Sequence, residues 1–131
     1  MEVISIKTFQ RIELIEITRK IEEAIDKQGV NNGICCLFVP HTTAALTLNE
    51  NADPSVKDDF KYKINSLIPK NDSYSHGEGN SDSHIKSSIF GPSLTLIISG
   101  GNLVLGTWQG IYFCEFDGPR NRKLYIKIIK D

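Results

Sequence analysis

The sequence predicts one α+β domain of residues 1–131, a mainly antiparallel β-sheet sandwich with helices, in the order ββ-α-ββ-α-α-ββββ. Three observations lead there. Most strand-like runs are separated by links of hairpin length, which suits antiparallel pairing because a parallel neighbour needs a long crossover. Three stretches carry helix-start chemistry followed by apolar residues at helical spacing. And 131 residues suffice for one core but not for two comfortable ones.

Residues 3–9 alternate weakly and residues 11–17 alternate better, so both read as strands joined tightly near Gln10. Thr18 can cap a helix in which Ile21, Ala24 and Ile25 share a face until Gly29 ends it. Its solvated side carries Glu22, Glu23, Asp26 and Lys27. Residues 33–39 form a continuous apolar run, consistent with a strand buried on both faces. Pro40 stops it, and residues 44–50 read as its partner strand. His41-Thr42-Thr43 therefore falls at a connection, where side chains can point into a cleft.

Asp53-Pro54 is a strong helix start: a capping side chain, then proline at the first helical position. Val56, Phe60, Ile64 and Leu67 make one apolar stripe before Pro69 ends the element. Ser81 or Asp82 can cap a short helix through Ile85, Ile89 and Phe90, closed by Gly91 and Pro92. Residues 93–99, 103–105, 107–116 and 123–129 complete the strands, with turns at Gly100-Gly101-Asn102 and at residues 117–121.

Composition narrows the function classes. Charged residues are 24% and apolar ones 40% of the chain, which is ordinary globular usage. Fifteen basic against sixteen acidic residues give a net charge of −1, without the basic excess of a nucleic-acid binder. Cys35, Cys36 and Cys114 lie in apolar runs and lack zinc-type spacing, so they read as small buried residues in a reducing compartment. Glu2, Lys7 and Arg11 leave no apolar leader, and no run approaches the ~18–20 residues that span a bilayer. The expectation is a soluble cytoplasmic protein with no nucleic-acid or membrane partner.

The chemistry concentrates in residues 74–86. This span holds His76 and His84, Glu78 and Asp82, Gly77 and Gly79, and Lys86. Neutral imidazole is a preferred zinc ligand, and three ligands with an open position define a catalytic site. The fold would have to bring His41 to His76 and His84; alternatively each is a separately satisfied polar residue or an acid–base group. Glu50, between Asn49 and Asn51, is either a general base or metal ligand, or an acceptor that fixes its turn. Asp82 is either a helix cap or a group that orients a histidine. Gly77, Gly79 and Asn80 precede a helix start and offer backbone N–H groups to an anion, with Lys86 one turn on. Arg120 is a candidate phosphate fork. Trp108, followed by Gln109, either packs in the core or stacks on a heteroaromatic ligand.

Read together, these residues resemble the YjbQ-like proteins, often labelled secondary thiamine-phosphate synthases. The resemblance rests on Pro40-His41-Thr42-Thr43 through Asp53-Pro54, His76-Gly77-Glu78-Gly79-Asn80-Ser81-Asp82-Ser83-His84-Ile85-Lys86, Leu105-Gly106-Thr107-Trp108-Gln109-Gly110-Ile111-Tyr112 and Gly118-Pro119-Arg120. It implies a homotrimer with a subunit-interface cleft lined by His41, His76 and His84 and holding a divalent metal, zinc or magnesium. The implied activity joins a pyrimidine pyrophosphate to a thiazole phosphate. Two other classes remain open: a metal-dependent hydrolase with Glu50 as base, and a non-catalytic metal or small-ligand binder.

Overall fold

A computed structural model describes all residues, Met1–Asp131, and the elements follow the expected order. They are β1 (Glu2–Lys7), β2 (Glu13–Glu16), α1 (Thr18–Gln28), β3 (Gly33–Phe38), β4 (Ala44–Glu50) and α2 (Pro54–Leu67). Then come α3 (Ser81–Phe90), β5 (Ser93–Ser99), β6 (Asn102–Leu103), β7 (Gln109–Glu115) and β8 (Asn121–Lys130). A five-stranded sheet runs β1-β8-β3-β5-β6 and a three-stranded sheet runs β2-β7-β4, with every ladder antiparallel.

The pairings differ from simple hairpins. β1 pairs with β8 rather than β2, and β3 pairs with β5 and β8 rather than β4. Only β5 and β6 form the expected hairpin. The β1–β2, β3–β4 and β7–β8 links each carry the chain from one sheet to the other. Alternation and link length are the same for a hairpin and for such a corner, which is why sequence could not separate them. The corners gather at one end of the sandwich, as the bond from Thr8 N–H to Arg120 O shows.

The main core lies between the sheets and α1. Leu37, Leu124 and Ile126 from the large sheet meet Ala44, Leu46, Ile111 and Phe113 from the small one, with Ile21 and Ile25 of α1. Each of these leucine, isoleucine and phenylalanine side chains contributes about 1.5–3 kcal/mol of transfer free energy. The opposite face of the small sheet is covered as well. There Leu14, Ala45, Tyr112, Cys114 and Phe116 pack with Phe60 of α2 and Phe90 of α3. The Phe60 and Phe90 rings stand 4.9 Å apart. β7 is thus buried on both faces along most of its length.

β3, which the apolar run marked as doubly buried, is not. Ile34 is 40% and Phe38 46% exposed, because no helix covers the outer face of the large sheet. Ile34 pairs across with Ile97 on one side and Ile129 on the other, and these are 60% and 54% exposed. Capping also shifts slightly. Asp53 caps α2 as expected, accepting from Ser55 N–H at 2.9 Å. Thr18 is instead the first residue of α1, and its Oγ1 accepts from Ile111 N–H at 2.9 Å. All three cysteines are free. No helix is long and apolar enough to cross a membrane.

Candidate functional site

The sandwich end where the chain changes sheets opens into a polar cleft of about 860 Å³. Three segments wall it. The β3–β4 corner supplies His41, Thr42 and Thr43, the loop into α3 supplies His76, Glu78 and Asn80, and the β7–β8 corner supplies Asp117, Arg120 and Asn121. His84 of α3 and Arg122 of β8 complete it.

The position of His84 follows from how α3 is anchored. Asp82, Ser83, Lys86 and Ser87 recur on one helical face and are buried. Ser83 Oγ donates to Phe116 O at 2.5 Å and Ser87 Oγ to Ala44 O at 2.7 Å. Both bonds tie the helix to the small sheet and leave His84 turned to the cleft. Its ring stands edge-on to that of His76, with centroids 5.5 Å apart. His76 Nε2 lies 3.9 Å from Glu78 Oε2.

His41 is held differently. Its Nε2 accepts the Lys123 N–H at 2.9 Å, so in the neutral ring the proton sits on Nδ1. Partial burial, and then repulsion from Arg122, lower its pKa below the ordinary 6.5 despite the pull of Glu115. A neutral ring with that tautomer is a hydrogen-bond donor from Nδ1.

Behind this wall lies a buried ionic network. Glu115 is fully buried and accepts from Thr8 Oγ1 at 2.7 Å, from Arg122 Nε at 2.9 Å and also from Arg122 Nη2. Arg122 Nη2 also donates to Thr43 Oγ1 at 2.8 Å, which fixes the β3–β4 corner to β8. At the rim, Asp117 accepts from Arg120 Nη2 at 3.0 Å and from Asn80 Nδ2 at 2.9 Å. The sequence reading passed over Glu115, Arg122 and Asp117. A signal existed for Glu115: a carboxylate inside the apolar run 111–116 requires a buried partner.

Several expected site residues stand elsewhere. Lys86 is fully buried, donating to Asp82 Oδ2 and Asn65 Oδ1, both at 2.8 Å, and so offers no charge to a phosphate in the cleft. Asp82 neither caps α3 nor orients a histidine. It binds Arg11 Nη2 at 2.8 Å and Lys86, and the cap position is Asn80. Burial would raise the Asp82 carboxyl, but hydrogen bonds from Arg11 and Lys86 outweigh it and hold its pKa below 3.8. Gly77 and Gly79 belong to the loop before α3, yet neither lines the cleft; their neighbours His76, Glu78 and Asn80 do.

Glu50, Trp108 and Gln109 lie at the other end of the small sheet. β4 pairs with β7 from Ala44↔Glu115 at the cleft to Glu50↔Gln109 far from it. Six residue steps make roughly 20 Å at about 3.3 Å each. Within one subunit Glu50 is not a base for the cleft, and Trp108, 61% exposed, packs in no core.

The three imidazoles therefore share one cleft without forming a metal cage. No three His, Cys, Asp or Glu side chains stand close enough to hold an ion. The donor set agrees, because the one lone pair of neutral His41 is taken by Lys123 N–H. A three-histidine centre does not fit this arrangement.

Comparison with known proteins is consistent along the whole chain. The family model for the UPF0047 protein YjbQ-like family matches residues 2–131. A UPF0047 protein of Methanocaldococcus jannaschii is 58% identical over 126 residues, covering 96% of this chain and 91% of its own length. The UPF0047 protein YugU of Bacillus subtilis is 47% identical over 130 residues and 98% of each chain. The crystal structure of an uncharacterised yjbq/upf0047 family protein from Clostridium acetobutylicum superposes with a TM-score of 0.96 at 50% identity, over 98% of this chain and 100% of that one. A YbjQ-like protein of unknown function from Sulfolobus solfataricus gives 0.94 at 33% identity, over 99% and 96%. The fold, the cleft and the full-length match lead to one conclusion: this chain belongs to the UPF0047/YjbQ-like family.

Proposed function

We propose that the cleft binds a phosphorylated small molecule and that the chain is a thiamine-phosphate synthase-like transferase. It would join a hydroxymethylpyrimidine pyrophosphate to a thiazole phosphate. The thiazole nitrogen forms a bond to the exocyclic methylene carbon, the methylene C–O bond breaks, and pyrophosphate leaves with the electron pair. The observation that supports this reading is the convergence of His41, His76, His84 and Arg120 on one polar cleft. A departing pyrophosphate needs donors aimed at its oxygens. His41 Nδ1–H is one, and Arg120 keeps N–H groups beyond the two it gives to Asp117. A divalent cation, zinc or magnesium, would supply counter-charge to the pyrophosphate if it were carried in with the substrate, since His41, His76 and His84 form no cage for it.

A homotrimer belongs to the same proposal, and the uncovered face of the large sheet supports association of copies, though not their number. Ile34, Ile97 and Ile129 form an apolar row across three strands, continued by Phe38 against Tyr125 at 6.3 Å. Contiguous exposed apolar surface of this kind marks association. Sedimentation should give three times the 14.7 kDa chain mass, and Ile34→Asp should lower it toward one chain.

A second reading, hydrolysis of a phosphorylated small molecule, is favoured by the His76–Glu78 pair, an imidazole beside a carboxylate inside the cleft. One assay separates the two. Purified protein is mixed with the pyrimidine pyrophosphate, with and without the thiazole phosphate, and released products are measured. Pyrophosphate release only with both substrates supports transfer, phosphate or pyrophosphate release without the thiazole supports hydrolysis, and binding without turnover leaves a ligand-binding protein.

A further inference from the structure

α3 is an inverted surface helix. It buries Asp82, Ser83, Lys86 and Ser87 and leaves Ile85 and Ile89 exposed, by 41% and 62%. A surface helix ordinarily does the reverse. Ile85 is one wall of a second hollow of about 450 Å³, shared with Tyr74, Ser75 and Ser81. That volume lies within the roughly 300–1,000 Å³ of small-molecule sites. Its remaining walls are His76 and His84, the same pair that lines the polar cleft, so the two cavities adjoin at the imidazoles. Their surfaces differ in kind: the wall of the cleft is mostly polar and that of the hollow mostly apolar. Tyr74 strengthens the contrast. Its hydroxyl donates to Pro69 O at 2.6 Å, which satisfies the polar tip and holds the ring in place. Three of the six lining side chains thus carry flat π systems, and the two imidazoles stand perpendicular to each other.

We propose that this hollow is the subsite for a flat aromatic or heteroaromatic ring, carried one methylene from the phosphate that the cleft binds. This rests on the phosphate-binding reading above and deepens it. The ring lies against Tyr74, Ile85 and the imidazole pair, while His41 Nδ1–H and Arg120 hold the anion. Aromatic rings gain from one another beyond the area they bury, so this wall favours a flat ring over an aliphatic group of equal bulk. The sequence offers that stacking role to Trp108, which stands at the far end of the small sheet. Tyr74 and Ile85 fill it from beside the cleft and set the specificity for the ring.

The test is calorimetric titration of the whole protein with benzyl, cyclohexylmethyl and methyl phosphate and with inorganic phosphate. The wild type should bind the benzyl ester at least ~10-fold more tightly than the methyl ester, the scale of burying part of one ring. It should prefer benzyl over cyclohexylmethyl by ~3-fold or more. Tyr74→Ala should remove the benzyl preference and Tyr74→Phe, which keeps the ring, should retain it. Ile85→Ser, on the exposed side of α3, should narrow the preference to ~3-fold and carries the test if Tyr74→Ala does not fold. All three variants should leave methyl and inorganic phosphate within ~2-fold of wild type. Equal affinity of the wild type for benzyl and methyl phosphate would overturn the ring subsite alone. So would a preference that survives both Tyr74→Ala and Ile85→Ser, or equal weakening of every phosphate by Ile85→Ser. A cyclohexylmethyl ester bound as tightly as the benzyl ester would overturn the assignment to flat rings. Failure of all four phosphates to bind would remove the phosphate-binding reading and this inference with it.

Discussion

At one end of the three-stranded sheet, where Ala44 pairs with Glu115, the strands run into Thr43, Asp117 and Arg122 and end in the histidine cleft. At the other, where Glu50 pairs with Gln109, they run into exposed asparagines and an exposed tryptophan. The polar groups at the first end are fastened by buried ion pairs, Glu115–Arg122 and Asp82–Lys86. Those at the second rely on exposed bonds, such as Asn51 Nδ2 to Glu16 Oε2 at 3.0 Å. The same strands thus make a rigid polar site at one end and a solvated rim at the other. Burial of the supporting charges, rather than the presence of polar residues, separates the two.

The largest expected effect tests that contrast through stability. Glu115→Ala leaves Arg122 buried without a counter-charge and should cost about 3–5 kcal/mol in urea denaturation. Glu50→Ala should stay within about 0.5 kcal/mol. Comparable losses at both ends would break the contrast.

Ligand binding gives the next effect. Arg120→Ala should weaken binding of a phosphate ester ~10-fold or more, because charged hydrogen bonds contribute about 1.5–3 kcal/mol. Trp108→Ala should change it less than ~2-fold in a monomer. If the assembled protein loses binding on Trp108→Ala, the far end of one subunit serves the cleft of another, and the contrast becomes a division of labour between chains.

Acid titration should show the smallest effect. The Asp82 carboxyl has a folded pKa held below its ordinary 3.8, so its contribution is fully present above that value. It is lost as pH falls through the lower folded pKa. His41, also lowered in the folded protein, makes the native state less stable as pH drops below 6.5. Stability measured from pH 7 to pH 3 should fall in both ranges, and Asp82→Asn should remove the lower step. A lower step that survives in Asp82→Asn would show that another carboxylate dominates.

The element order was legible because Asp53-Pro54, Gly29, Gly91 and the period-two runs are local signals. The histidine cleft was legible in part, since His41, His76 and His84 do line one cavity. What was not legible depends on which sheet each strand joins. Glu50, a carboxylate between two amides at a strand end, has the composition of a catalytic base, but composition does not say which end of the sheet it occupies. β4 carries the chain the length of the sheet. Lys86 looked like a phosphate ligand because it lies one turn into a helix near the glycine loop. Its helical face, shared with Asp82 at i,i+4, turns it into the protein. The outer face of the large sheet misled in the opposite direction. Ile34 and Phe38 have the composition of core residues, yet within a subunit nothing covers them.

The corners that carry the chain between the sheets have a consequence for detection. One wall of the cleft hangs from the β3–β4 link, another from the β7–β8 link, and a third from a helix lying on the small sheet. A molecule touching all three staples separate layers together, and it can do so only while they are stacked. Occupancy is then read as heat resistance: ligand at 100 times its dissociation constant adds about 2.7 kcal/mol to the native state. A melting-temperature screen of phosphorylated metabolites would find the natural occupant without any assumption about turnover.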